Sequence, residues 1–295
     1  MLPIYWLESI NLELWRTLAH GKCRAHAVAS EGTFCAARSL AASVLMTSAI
    51  ILAGGQRDAL SAHAGVSSKA LLEFQGLPLA SYTLQALQAT PQIKACYYVG
   101  DSHGLEAYLN SNRVVAAGES FVASLENGLE AALADTSERL LISSADMPFV
   151  CAAAVDDFLR HAPDASFVYV AVRRDVIEAQ FPGNCRTYAR FREGTFTGGN
   201  MVLIKRSILP TLMPFAARAY NARKNPLALA RMFGWGMLLR FMLGRLPVEQ
   251  AEARASQLLQ APVRAFFSDY ASLAVDIDTV RQLEDSQQDS RLLRR

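Results

Sequence analysis

Hydrophobic and polar positions follow two different periods along this chain, and each change of period marks an element. Short apolar runs rich in β-branched and aromatic residues predict strands at "TSAIIL" (47–52), "ACYYVG" (95–100), "RLLISS" (139–144), "SFVYVAV" (166–172), "NMVLIK" (200–205), "VRAFF" (263–267) and "LAVDI" (273–277). Helix-period runs lie between most of them. "LPLASYTLQALQAT" (77–90) sets Leu79, Tyr82, Leu84 and Leu87 on roughly one face, with Pro78 as an early helical residue. "ESFVASLENGLEAALAD" (119–135) repeats Val122, Leu125, Leu129 and Leu133 behind a capping Glu119 or Ser120. Strands alternating with helices predict an α/β domain whose mostly parallel sheet carries helices on its faces. From about residue 206 to 260 the helical period continues without a strand, which predicts a helical insertion before the last strands. Its apolar stretch 227–244 carries Arg231 and Arg240. That stretch reads as a core helix pair with snorkelling arginines, as the cap of a pocket, or as a contact with a membrane surface or partner.

Composition removes some classes of function. The 295 residues fit one main domain with an elaboration. The 29 Lys and Arg nearly cancel the 27 Asp and Glu, so no global field recruits nucleic acid or an acidic membrane. Five scattered cysteines, Cys23, Cys35, Cys96, Cys151 and Cys185, form neither a C-x-x-C nor a zinc-spaced pair, and read as reduced packing residues of a cytoplasmic protein. The start "MLPIYWLESINLELW" is acidic where an export signal is basic. The apolar run 39–53 is shorter than the roughly 18–20 residues a span needs. Residues 1–45 are expected to lie outside the fold, with Met46 as a candidate native start, residues 46–285 as the domain and 286–295 as a polar tail.

Ligands of a parallel sheet collect beyond the carboxyl ends of its strands, so the chemistry is sought in the residues that follow each strand. Strand 47–52 runs into Leu52-Ala53-Gly54-Gly55, where two glycines let backbone N–H groups turn toward an anion; a plain tight turn asks for the same residues. Neither G-x-G-x-x-G nor G-x-x-x-x-G-K-[ST] is present, which removes the dinucleotide and P-loop readings. Lys69 is either a solvated loop charge or, close to a phosphate loop, a counter-charge for a triphosphate. Strand 139–144 leads into Ala145-Asp146-Met147-Pro148, which places Asp146 to hold a metal shared with phosphate. Asp276 and Asp278, alternate residues of a strand, would share a face and one would complete that metal site; Asp278 or Thr279 would equally cap a helix from 280.

Taken in this order, the Leu52-Ala53-Gly54-Gly55 loop, Lys69 before Leu71-Leu72, the Gly76-Leu77-Pro78-Leu79 turn, Asp146-Met147-Pro148 and Asp276 to Thr279 resemble the MobA-like nucleotidyltransferases, over residues 48 to about 285. The resemblance implies a Rossmann-like, three-layer fold of the nucleotide-diphospho-sugar transferase (GT-A-like) type. It implies transfer of a nucleoside monophosphate from an NTP, GTP or CTP favoured, to a small phosphorylated or pterin-like acceptor, with Mg²⁺ on Asp146 and on Asp278 or Asp276. Gly54, Gly55 and Lys69 would then hold the triphosphate, and Asn127 would read the base. Thr197, Gly198, Gly199 and Asn200, a polar turn before a strand, would orient the acceptor, with Arg186 and Lys224 reaching its phosphate. The group's phosphate-clamping arginine falls here on Ala59, and Arg57 stands two residues earlier as its substitute. Two other readings remain: a catalytically silent nucleotide-binding module, and a GT-A glycosyltransferase, whose D-x-D metal motif would lie on the last strand here rather than in mid-chain.

Overall fold

A computed structural model of the chain describes residues 46–53, 59–109, 112–184, 186–222, 232–277 and 282–283. The first apolar run forms β1 (Thr47–Leu52), five of whose six residues are buried, as a strand covered on both faces requires. β1 lies between β4 (Ile93–Val99) and β6 (Arg139–Ser144), parallel to both, and β4 continues to the short β5 (Arg113–Val115). β9 (Gly194–Lys205) runs antiparallel between β6 and β7 (Phe167–Arg173), and β10 (Val263–Ser268) lies parallel to β7 at the edge. The spatial order is β10-β7-β9-β6-β1-β4-β5, with β8 (Ala189–Phe191) paired to the start of β9. A small hairpin, β2 (Glu73–Phe74) and β3 (Leu77–Pro78), stands apart from this sheet.

Alternate residues of each strand enter opposite cores. Ala49 and Ile51 join a core with Leu84 and Leu87 of α2 (Leu79–Gln88), Leu109 of α3 (Glu106–Leu109), Phe158 of α5 (Ala152–His161) and Ile177 of α6 (Arg174–Gln180). Ile50 joins the other, with Leu125 and Leu129 of α4 (Phe121–Ala132), Phe215 of α7 (Leu209–Ala222), Phe241 of α8 (Trp235–Met242) and Leu259 of α9 (Val248–Leu259). The result is three layers, as the alternation of periods implies. Ser120 caps α4 by accepting the Ala123 N–H. Gly128 lets that helix approach the sheet, since a Cβ there would meet Ile50 Cγ2 at 2.7 Å. A third cluster of Leu60 from α1 (Ala59–Ala64), Leu72, Phe74, Leu79 and Ile277 packs around the hairpin.

The structure departs from two expectations. Residues 273–277 form no strand: Ala271–Leu273 is a 3-10 turn packed on β7 and β9, and Val275 to Ile277 follow as buried irregular backbone. Their apolar pattern reflects that packing and not a place in the ladder. Residues 197–200 are not a turn, because β8, β7 and β6 supply partners that extend β9 back to Gly194. The glycine at 199 serves close packing there: a Cβ would lie 2.6 Å from Val170 Cγ1 and 3.0 Å from the Leu273 carbonyl. Of the apolar stretch 227–244, residues 232–244 are described: α8 begins at Trp235, after Gly234 at φ +95°, a left-handed value at which a helix breaks.

Candidate active site

The carboxyl ends of β1, β4 and β6 are stitched together by backbone. Ala53 N–H donates to the Val99 carbonyl at 2.9 Å, and Ala145 N–H to the Leu52 carbonyl at 3.2 Å. Ser68 then fixes the next segment. Its hydroxyl donates to the Ala53 carbonyl at 2.6 Å and accepts the Ala70 N–H at 3.3 Å, capping the 3-10 turn Lys69–Leu71. This cap places the Lys69 ammonium 2.6 Å from Asp146 Oδ2. Two charges far apart in sequence thereby meet beside the exit of β1.

Burial opposes ionisation of Asp146, but the Lys69 ammonium 2.6 Å away outweighs it and holds the carboxyl below its ordinary range. Asp146 is therefore an anion at neutral pH. Its second oxygen, Oδ1, is buried and has no hydrogen-bond partner among the described residues. A buried carboxylate oxygen left open is a costly arrangement unless something binds it. An oxygen of that kind suits a hard cation such as Mg²⁺, which takes one or two carboxylates and fills its other positions with phosphate and water. Among the described residues no group of three or more His, Cys, Asp or Glu could hold a metal by itself.

A second ion pair lies deeper. Arg186 Nη1 contacts Asp276 Oδ1 at 2.6 Å, with the two side chains 8% and 2% exposed, and Arg186 Nε reaches Thr197 Oγ1 at 3.4 Å. The adjacent Ile277 N–H donates to the Asp146 carbonyl at 3.3 Å. This pair thus anchors the segment that abuts the Asp146 backbone. The register Ser143↔Met201 sets Asn200 beside Ser144 at the carboxyl end of β6. Asn200 is buried, and neither of its amide atoms has a hydrogen-bond partner among the described residues.

Set against the sequence, Leu52, Ala53, Lys69 and Asp146 come together at the strand ends. Thr197 and Asn200 stand on β9, Gly198 and Gly199 between them. Arg186, expected to reach an acceptor phosphate, and Asp276, one of two candidate metal ligands, are committed to each other. Asn127 is half-buried, and its Nδ2 donates to the Ala116 carbonyl at 3.0 Å, tying α4 to the segment after β5. Gly54, Gly55, Arg57, Lys224 and Asp278 lie outside the described residues. Sequence reasoning missed Ser68 as the residue that aims Lys69; the signal available was a serine directly before the turn. It also missed the Arg186–Asp276 partnership, which joins residues too distant in the chain for any local pattern to show.

A family model described as a MobA-like NTP transferase domain matches residues 49–230. A search of curated proteins finds no match. Among solved structures, a hypothetical transferase from Thermus thermophilus is 39% identical, with a TM-score of 0.74 over 81% of this chain and 99% of that one. The fold is shared with a CMP:2-keto-3-deoxy-manno-octonic acid synthetase solved with CTP, at 13% identity and TM-score 0.51 over 82% of this chain and 97% of that one. It is shared too with a 4-diphosphocytidyl-2C-methyl-D-erythritol synthase from Anaerococcus prevotii, at 14% identity and TM-score 0.52 over 86% of this chain and all of that one. With the matched domain covering more than half of its length, this chain belongs to the MobA-like NTP transferase family and is a nucleotidyltransferase.

Proposed function

We propose that the protein moves a nucleoside monophosphate from an NTP to a small phosphorylated or pterin-like acceptor and releases pyrophosphate. The observation that carries this reading is the Lys69–Asp146 pair beside the exit of β1, with Asp146 Oδ1 left open. In the proposed reaction an acceptor oxygen forms a bond to the α-phosphorus as the bond to the β-phosphate oxygen breaks, and the electron pair leaves on pyrophosphate. Backbone N–H groups of Gly54 and Gly55 would bind the triphosphate, with Arg57 as a further clamp. Lys69 would exchange its contact with Asp146 for one with phosphate, supplying positive charge where negative charge grows. Asp146, with Asp278, would hold Mg²⁺, which supplies a Lewis acid for phosphate oxygens. Thr197, Gly198, Gly199 and Asn200 would orient the acceptor, with Arg186 and Lys224 reaching its phosphate. The unpartnered Asn200 amide offers both a donor and an acceptor to the acceptor molecule or to an ordered water.

CTP and GTP are the first nucleotides to try, CTP because the synthetase of like fold was solved with it. The test is a pyrophosphate-release assay with each of the four NTPs, Mg²⁺ and a panel of phosphorylated sugars, alcohols and pterins. One NTP and one acceptor class should release pyrophosphate in step with a new nucleotidyl product. NTP binding with no release from any acceptor would support the silent module instead. Release of a nucleoside diphosphate from a nucleotide sugar would support the glycosyltransferase.

A further inference from the structure

α8 (Trp235–Met242) is apolar on both sides, yet only one side is covered. Leu238 and Phe241 are buried against the domain, while Trp235, Leu239, Met242 and Leu243 are between 56% and 62% exposed. Their spacing of four, three and one residues lines them along one outward stripe. A helix that is apolar all round is ordinarily enclosed, so this stripe calls for a second surface to cover it.

The charges around the stripe indicate which surface. Residues 232–248 carry two arginines, Arg240 and Arg245, and no acid; the exposed Glu249 follows in the first turn of α9. Both are exposed, and the exposed Arg190 lies with its side chain against Gly244 at the end of the helix. The nearby Glu193 is engaged by Arg192 at 3.1 Å and by the Val248 N–H at 3.0 Å, and Glu252 by the Ala265 N–H at 2.8 Å. A tryptophan and long aliphatic side chains rimmed by arginine are the chemistry of a helix lying in the interface of an anionic membrane. A second copy of the chain is a poorer fit. Four half-exposed side chains present on the order of 450 Å², judged from about 150–250 Å² for a fully buried large side chain, against roughly 800 Å² per partner in a stable dimer.

We propose that α8 docks this protein peripherally on membranes containing anionic lipid, with Trp235, Leu239, Met242 and Leu243 entering the headgroup region and Arg190, Arg240 and Arg245 contacting lipid phosphates. No described helix is long and apolar enough to cross a membrane, so the contact is one of lying on the surface. This inference stands apart from the proposed reaction, whose residues lie at the carboxyl ends of β1 and β6.

The test is co-sedimentation of the full chain with phosphatidylcholine vesicles, with and without one third phosphatidylglycerol. Anionic vesicles should bind about 10- to 30-fold more tightly, the gain expected from two arginines near such a surface, and added salt should reverse it. Trp235→Ser with Leu239→Ser should abolish binding while leaving the thermal unfolding midpoint unchanged, since both side chains are exposed. Arg240→Gln with Arg245→Gln should remove most of the preference for anionic vesicles, and adding Arg190→Gln should bring it down to the neutral level. The proposal is overturned by equal binding of the Trp235→Ser, Leu239→Ser variant, by no binding to either vesicle, or by a dimer in light scattering that the same variant dissolves.

Discussion

Arg186→Met removes the positive half of the most deeply buried ion pair among the described residues and leaves Asp276, 2% exposed, with a charge that water does not reach. Breaking such a pair from one side costs about 3–5 kcal/mol, because the remaining ion keeps its desolvation penalty and loses its counter-charge. An exposed pair would cost about 0–1 kcal/mol. Domains of this kind are stable by about 5–15 kcal/mol, so the loss is a large fraction of the total. At about 2–4 °C per kcal/mol it lowers Tm by roughly 6–20 °C. Urea titration followed by circular dichroism, with the slope m checked for constancy, measures the loss. The double variant Arg186→Met, Asp276→Leu should recover most of it, since a packed apolar pair is about as good as a buried ionic one. A loss below about 1 kcal/mol for the single variant, or a double variant less stable than either single one, would mean that the pair is not a buried, desolvated one.

Four further outcomes follow from named residues. Asp146 has its folded pKa depressed, so its pairing with Lys69 contributes stability that is present above the ordinary carboxylate value of about 3.9 and is lost as pH falls through the folded pKa. Lys69→Ala removes the counter-charge, and acid unfolding followed by fluorescence should begin at higher pH than in the wild type. Gly199→Ala drives a Cβ to 2.6 Å from Val170 and 3.0 Å from a carbonyl, and should cost about 1–3 kcal/mol in a thermal melt. Gly236→Ala meets nothing within 4 Å in the first turns of α8 and should gain about 0.4–1 kcal/mol. Burial pushes the Cys96 thiol up to about 12, so a thiol reagent at pH 8 should leave Cys96 unlabelled in the native protein and label it in denaturant, as peptide mass spectrometry would show.

The strands of the central sheet were legible because burial on both faces demands uninterrupted apolar runs, as in "TSAIIL" and "RLLISS". The same rule misled at "LAVDI", where apolar residues are buried by lying across β7 and β9 without entering the ladder. The first part of β9 was hidden because Thr197, Gly198, Gly199 and Asn200 read as a turn, whereas pairing with β7 and β8 holds this part of the strand extended. Lys69 and Asp146 could be named from their positions after strands, but their contact depends on the Ser68 cap, a tertiary fact. Arg186 and Asp276 show the same limit: each could be singled out for its chemistry, but their contact joins positions too distant in the chain for any local pattern to show.

The account rests on Asp146 and Lys69 being the place where nucleotide binds. Isothermal titration of CTP and GTP into the wild type, Asp146→Asn and Lys69→Ala, each with Mg²⁺ and with EDTA, tests this most directly. The account predicts that Mg²⁺ tightens wild-type binding of one nucleotide by about tenfold or more, roughly the 1.4 kcal/mol or more of one charge-assisted contact. It predicts that Asp146→Asn loses this Mg²⁺ dependence and that Lys69→Ala weakens binding with or without the metal. Unchanged Mg²⁺-dependent binding in Asp146→Asn would contradict it.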